Sequence, residues 1–408
     1  MLSVGFGDLD DRDERHKRRF AHSSTMCFLS GAAVGDRTRI LLLIPRLGAG
    51  GAEQVMTLLA SGLSRRKYEV HLGLVMAADA AAIELPHWVA AHALSAKRAR
   101  YGAIPLLRLV WRLRPAVILT GAPEISFLVL LLRQFFPAKT AVLVRQNGTV
   151  SWALGAGGVP RYTRLLYRIL YRRADRIICQ SRSMAQDLMR ELRIGPERLV
   201  VLPNPVNLDA IRAAQKEKSL WIGPGPHLLA VGRLSKEKGF DLLLEALTQV
   251  RMEFPCSDLV IAGGGREEAE LKGLRARLGL ESAVRFLGRI DRPYTYFPGC
   301  TLFVLSSRYD GMPNALLEAA AAGLPLVAMP ASGGVVDLLR GRQGAWTARE
   351  ISSRSLAEAL TAALHALRPG QRFDHAFFLP GTIVARENQT LWSRSRVATL
   401  RSEQREAN

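Results

Sequence analysis

Along this chain, short runs of β-branched residues and Leu alternate with longer stretches whose apolar positions recur at helical spacing. That alternation marks βαβ units and parallel sheets, and it predicts an α/β fold of two open domains. In the front half it predicts strands at Arg39–Ile44, Val70–Val75, Val117–Thr120, Ala141–Arg145, Arg176–Cys179 and Leu199–Leu202, with helices between most of them. The stretch 203–227, PNPVNLDAIRAAQKEKSLWIGPGPH, is rich in Pro, Gly and Lys, as a connection between domains should be. A second series of strands follows at Leu228–Val231, Leu259–Ala262, Val284–Leu287, Leu302–Leu305 and Leu326–Ala328. The predicted organisation is a leader over 1–37, a first domain over 38–205, a linker over 206–227, a second domain over 228–370 and a tail over 371–408. The tail is polar and Arg-rich, with one helix near Val384–Ser393 and a Trp392 that reads as plain core.

The longest apolar run, Ile125–Phe136, is twelve residues long and broken by Arg133, whereas a spanning helix needs about twenty, so no transmembrane segment is predicted. With 408 residues, 48% hydrophobic and 23% charged, the chain is globular and long enough for two cores, which makes the cleft between them the expected ligand site. Cys27, Cys179, Cys256 and Cys300 are each more than forty residues apart, so neither a disulfide framework nor a CxxC spacing is suggested, and a reducing compartment is expected. The eight histidines show no HExxH-like spacing, and Asp8 and Asp10 lie in the charged leader, so no metal site is expected. The leader mixes six basic with six acidic side chains and has no apolar h-region; it reads as a disordered segment, or as an over-long start with Met26 as the initiator.

Charge changes the picture by its distribution. Of a net +20, residues 38–218 supply 27 basic against 11 acidic side chains, while residues 219–408 supply 23 against 19. Within 85–174, fourteen Lys or Arg meet a single acid, Glu124, and such a field attracts an anionic surface.

Three motifs carry candidate chemistry. The loop GAGGAEQV places Gly48, Gly50 and Gly51 before a helix that starts near Ala52, where the backbone can approach a ligand and the helix start offers N–H groups to an anion; a Gly-rich turn of this kind is as often only a turn. The segment LLAVGRLSKEKGFDLLLEAL ends a strand at Gly232 and carries Arg233, Lys236 and Lys238 on the loop before a helix from Gly239. Cations at the carboxyl end of a parallel strand point into the crevice where such sheets bind ligands, and a guanidinium with an ammonium suits a diphosphate; Lys236 reads as a solvated base. In FVLSSRYDGMPNALLEAAAAGLPLVA, Asp310 and Gly311 form a turn, Pro313 suits the first helical position, and Asn314 and Glu318 share one helix face. A carboxylate such as Glu318 can accept from two neighbouring hydroxyls, as a ribose presents, and the helix start favours a phosphate.

In this order, and in two Rossmann-like halves, the motifs resemble those of the GT-B glycosyltransferases of family 4, the retaining type that uses nucleotide sugars. The resemblance covers roughly 39–345 and is strongest in 228–328; ADRIICQSRSMAQDL, VLPNPVNLD and LVIAGGGREEAEL support it. It implies two Rossmann-like domains whose parallel sheets face an interdomain cleft, with the acceptor bound by the first, the nucleotide sugar by the second, and the tail crossing back onto the first. It further implies that Arg233 and Lys238 hold the donor diphosphate and that Glu318 binds the nucleotide ribose. Asp310 stands where the family usually has the first Glu of an E-x7-E pair, one methylene shorter. The loop Gly311–Asn314, through Met312 and Pro313, would present its backbone amides, Pro313 excepted, to the donor sugar and phosphate, and Gly50 and Gly51 would close from the other domain. Where many relatives carry a His after a middle strand of the acceptor domain, this chain has VRQNGTV, with Arg145, Gln146 and Asn147.

The implied chemistry needs no cofactor beyond the donor. Negative charge builds on the departing diphosphate, and fixed cations and N–H groups in a dry cleft stabilise it in place of a metal ion. The basic first half adds a location. In RYTRLLYRILYRR, Arg161, Arg164, Arg168 and Arg172 form one stripe beside Leu165, Leu166 and Ile169, with Tyr162, Tyr167 and Tyr171 nearby. Such a helix suits an anionic membrane surface, which predicts a cytoplasmic enzyme peripheral to the inner face of the membrane and a lipid-linked or glycan acceptor. The plainer alternative buries the Leu face in the core and solvates the Arg face. A nucleic-acid-binding protein is the competing class for so basic a chain, but no zinc-finger or RNP-like pattern is present, and no nucleic-acid partner is expected. A phosphorylase or sugar epimerase of the same fold gives no reason for Arg233, Lys238 and Glu318 at this spacing.

Overall fold

A computed structural model describes residues 37–47, 50–76, 85–96, 98–155 and 161–373. The predicted leader up to residue 36, Gly48 of the first glycine loop, the tail helix and Trp392 lie outside the described residues.

Among the described residues, thirteen strands form two parallel sheets. The first contains β1 (Thr38–Ile44), β2 (Tyr68–Met76), β3 (Val89–Ala96), β4 (Val117–Thr120), β5 (Ala141–Arg145), β6 (Arg176–Cys179) and β7 (Leu199–Val201), in the spatial order β3-β2-β1-β4-β5-β6-β7. The second contains β8 (His227–Val231), β9 (Asp258–Ala262), β10 (Val284–Phe286), β11 (Leu302–Leu305), β12 (Leu326–Ala328) and β13 (Ala345–Thr347), in the order β10-β9-β8-β11-β12-β13. Strand order reverses at β1 and β4 in one sheet and at β8 and β11 in the other. In open α/β sheets such switch points leave a crevice at the carboxyl ends of the strands.

Both faces of each sheet are covered, which is why the central strands read as unbroken apolar runs. Along β1, Leu41 and Leu43 enter one core with the helices Ala103–Leu113, Pro123–Leu132 and Arg182–Leu192, while Ile40, Leu42 and Ile44 enter the opposite core with the helix Gly51–Gly62. Two strands were not predicted. β3, VAAHALSA, is an edge strand buried only at Val89 and Ala96, and β13 is a three-residue edge.

The predicted linker is more ordered than its composition suggests. Asn207 accepts from the Ala210 N–H at 3.1 Å and starts a helix, Leu208–Ala214, whose Ile211 joins the core of the second sheet. Trp221 is buried against the same sheet and donates to the Tyr296 carbonyl at 2.8 Å.

The helix Arg161–Tyr171 is also oriented differently from its plain alternative. It turns Tyr167, Leu170 and Tyr171 into the core and leaves Tyr162, Leu165, Leu166 and Ile169 exposed beside Arg164 and Arg168, with Leu165 57% accessible. Exposed Leu131, Phe135 and Trp111 lie on neighbouring segments of the same layer, where the Trp111 indole donates to the Phe135 carbonyl at 2.9 Å. Among the described residues, no helix is long and apolar enough to cross a membrane.

Candidate active site

The site is assembled at the carboxyl ends of β8 and β11, adjacent strands of the second sheet. The loop after β8 carries Lys238 and the loop after β11 carries Asp310, and the Lys238 ammonium donates to Asp310 Oδ2. The two loops are stitched together by their backbones. Arg308 N–H donates to the Glu237 carbonyl at 2.8 Å, and the Ser306 hydroxyl donates to the Lys238 carbonyl at 2.9 Å. Arg308 also grips Asp241 with both terminal nitrogens, at 2.7 and 2.6 Å. Burial alone would raise the Asp241 carboxyl, but the bonds and charge of Arg308 outweigh it and hold the group below its ordinary value.

Arg233 is not brought to the Lys238–Asp310 pair. Its side chain is 74% exposed and its guanidinium lies 3.8 Å from Glu237, on its own loop.

Past Asp310 the chain runs through Gly311, Met312 and Pro313, all buried, into the helix Asn314–Ala321. Pro313 is the N-cap of that helix, not its first helical residue as predicted; its extended backbone (ψ 116°) suits the entry to the helix, and its carbonyl accepts from the Leu317 N–H at 3.2 Å. One turn in, Glu318 is only 7% exposed, and burial pushes its carboxyl up to about 7. No hydrogen bond or ion pair engages the Glu318 side chain among the described residues.

The first domain closes on this loop. Gly50 caps the helix Gly51–Gly62, and the Gly51 carbonyl accepts from Asn314 Nδ2 at 2.9 Å. Gly311 is required by proximity: a Cβ there would stand 2.9 Å from the Asn147 carbonyl oxygen and 3.0 Å from Gly148 Cα. In the segment VRQNGTV, Arg145 is 2% exposed and donates to Asn204 Oδ1 at 2.6 Å. Asn204 in turn donates to Asn314 Oδ1 at 2.6 Å and to the Met312 carbonyl at 3.2 Å. A polar chain therefore runs Arg145–Asn204–Asn314–Gly51 through both domains. Gln146 and Asn147 turn inward, with Gln146 accepting from the Tyr171 hydroxyl at 2.7 Å and Asn147 donating to the Gly121 carbonyl.

Asn204 and Tyr309 lie in segments that bear on the family resemblance, yet nothing in the sequence assigns either side chain a role. The Asn-Pro step at Asn204 was legible as a turn; its contact with Asn314, 110 positions away, was not.

Comparison with known proteins agrees with this architecture. A family model described as "Glycosyltransferase Family 4" matches residues 49–210, and one described as "Glycosyl transferases group 1" matches residues 211–373. The chain is 29% identical over 309 residues to the N-acetylgalactosamine-N,N'-diacetylbacillosaminyl-diphospho-undecaprenol 4-alpha-N-acetylgalactosaminyltransferase of Campylobacter jejuni, covering 73% of this chain and 82% of that one. It is 32% identical over 133 residues to an uncharacterized glycosyltransferase of Haemophilus influenzae, covering 33% of this chain and 38% of that one. Among solved structures, Anabaena HepE in complex with UDP superposes with a TM-score of 0.65 at 17% identity, covering 91% of this chain and all of the other. With adjoining family matches over 49–373 and two parallel sheets meeting at a cleft, the chain belongs to the GT-B glycosyltransferases of the family 4 type and is a glycosyltransferase.

Proposed function

We propose that the enzyme takes a sugar from a nucleotide diphosphate and passes it, with retention and without a metal ion, to a lipid-linked or glycan acceptor at the inner face of the cytoplasmic membrane. The observation that carries this is the Lys238–Asp310 pair, set at the switch point of the second sheet, on the loop that leads into the helix of Glu318 and is covered by Gly51 and Asn314. An ammonium at the mouth of a closed cleft can take up the negative charge of a departing diphosphate, and the low local dielectric makes that contact stronger than it would be in water. Glu318, buried and with its carboxyl raised to about 7 by that burial, is suited to two ribose hydroxyls, which would complete its hydrogen bonding. Arg233 can reach the diphosphate by turning its exposed arm inward when the donor binds.

The acceptor proposal draws on the Campylobacter relative, whose name gives a diphospho-undecaprenol substrate. The membrane proposal draws on Leu165, Leu166 and Ile169, exposed beside arginines where a soluble partner-free helix would carry polar residues. The UDP in the HepE complex makes a uridine donor the first to try.

A thermal-shift panel of UDP-, GDP- and ADP-linked glucose, galactose and N-acetylhexosamines tests the donor. Binding at a hundred times its dissociation constant stabilises by about 2.7 kcal/mol, a clear shift. A flat response to the whole panel would remove the nucleotide-sugar assignment.

A further inference from the structure

The loop that carries Asp310 is held from the other domain on both sides. On one side is Asn314, fixed by Asn204 and Gly51 as described. On the other is Tyr309, whose side chain reaches into the first domain while its N–H donates to the Glu237 carbonyl at 3.3 Å in its own. Its ring lies flat on Trp152 of the first domain, with centroids 4.2 Å apart and planes at 9°. Its hydroxyl accepts from the Thr149 N–H at 2.5 Å and lies 3.0 Å from the Thr149 hydroxyl. Gly148 makes room for that oxygen, since a Cβ there would come within 2.9 Å of it.

Trp152 is itself braced from behind. Asp187, 2% exposed, accepts from the Val150 N–H at 2.6 Å and the Ser151 N–H at 3.1 Å, anchoring the first turn of the short helix Val150–Gly155. A continuous set of contacts therefore runs from Asp187 through Trp152 to Tyr309, and the next residue is Asp310, paired with Lys238. A surface aromatic of the second domain would need none of this support.

We propose that Tyr309 is a positioning residue: seated against Trp152 and Thr149 when the domains close, it sets the Asp310 carboxylate against Lys238 and so ties the donor-side pair to the acceptor-side loop 146–152. A hydroxyl and a ring stack are short-range contacts, lost within an ångström or two of opening, so the pair is fully aligned only in the closed enzyme. The consequence is a rate effect with little change in nucleotide affinity, because none of these contacts belongs to the groups assigned to the nucleotide. This inference rests on the role proposed above for Lys238 and Asp310.

The test uses the full chain with Tyr309→Phe, which keeps the ring and removes the hydroxyl, Trp152→Leu, which removes the stack, and Trp152→Phe, which restores an aromatic. In Tyr309→Phe the Thr149 amide should exchange with solvent about tenfold faster, while the amides of Val150 and Ser151, held by Asp187, keep their wild-type rates. Release of nucleotide from the panel compound with the largest thermal shift, water serving as acceptor, should fall by about tenfold or more in kcat in Tyr309→Phe and Trp152→Leu. KM and the affinity for UDP should stay within about twofold, with Trp152→Phe recovering the rate. Unchanged Thr149 exchange, or wild-type kcat in both variants, would overturn the proposal, as would a joint loss of kcat, UDP binding and thermal stability, which marks plain structural damage. Lys238→Ala run in parallel separates the two levels: wild-type turnover there defeats the donor-site role itself, whereas a dead Lys238→Ala beside fully active Tyr309→Phe and Trp152→Leu defeats only the positioning role.

Discussion

Glu318→Gln should make the ligand-free enzyme more stable and the donor weaker-bound, and the pH dependence of both effects follows from one group. Burial raises the Glu318 carboxyl from 4.5 to about 7, so the folded chain holds the proton more tightly than the unfolded chain does. A raised carboxyl makes its neutral form the stable one: the penalty is absent below the unfolded value, grows as pH rises from about 4.5 to about 7, and is level above that. At about 1.4 kcal/mol per pH unit, the full penalty is about 3 kcal/mol. Gln matches the protonated carboxyl in size and polarity, so it removes the charge while leaving the burial of a polar group nearly unchanged. Urea unfolding without nucleotide should therefore find the variant about 3 kcal/mol more stable at pH 8 and equal to wild type at pH 4.5. UDP affinity should move the other way, falling by roughly 10- to 100-fold at pH 8 with the loss of charge-assisted hydrogen bonds to the ribose. For wild type, affinity should also weaken as pH drops below 7, a dependence absent from the variant. A variant less stable than wild type at pH 8, or equally stabilised at both pH values, would refute the reasoning.

Other changes probe other parts of the enzyme. Asn204→Ala removes the acceptor that Arg145 uses and the donor that orients Asn314, so it should lose about 2 to 3 kcal/mol in denaturant titration and slow nucleotide release as well. Asp310→Asn keeps the loop's shape but leaves the Lys238 ammonium without its carboxylate; turnover should drop by about a hundredfold while KM changes little, and a preserved rate would show that Asp310 does not act in the chemistry. Leu165→Gln with Ile169→Gln alters exposed positions only, so thermal stability should hold while flotation with anionic vesicles falls; equal flotation with neutral and anionic vesicles by wild type would count against the membrane surface. Arg164→Ala and Arg168→Ala should each weaken vesicle binding by about 1 kcal/mol, with the effect shrinking as salt rises.

What the sequence made legible was decided by burial. β4, β5, β11 and β12 have their predicted limits because each is buried throughout, so the apolar run and the strand coincide, and β6 does so with only Arg176 half-buried. β3 was invisible because an edge strand with one open face can be built from Ala, His and Ser as well as from Val and Ile. In 203–227 the Pro, Gly and Lys residues outweighed the seven-residue helix Leu208–Ala214, whose only local signal was Asn207 as a cap. Lys238 and Asp310 could each be placed on a loop after a parallel strand, but their pairing depends on β8 and β11 being neighbours, which no local pattern declares. Tyr309 and Thr149 are 160 positions apart on loops of different domains, and no periodicity links them; that contact exists only once both sheets have formed and closed. Arg233 shows the converse, a cation on the expected loop whose side chain lies in solvent.

In the proposed mechanism, Lys238 is the group on which the chemistry turns. Nucleotide release from the donor identified by thermal shift, compared between wild type and Lys238→Ala under saturating donor, measures its role without knowledge of the acceptor. A fall of about a hundredfold with an unchanged melting temperature is the predicted result, corresponding to about 3 kcal/mol of lost stabilisation of the departing diphosphate. Turnover at the wild-type rate would contradict it.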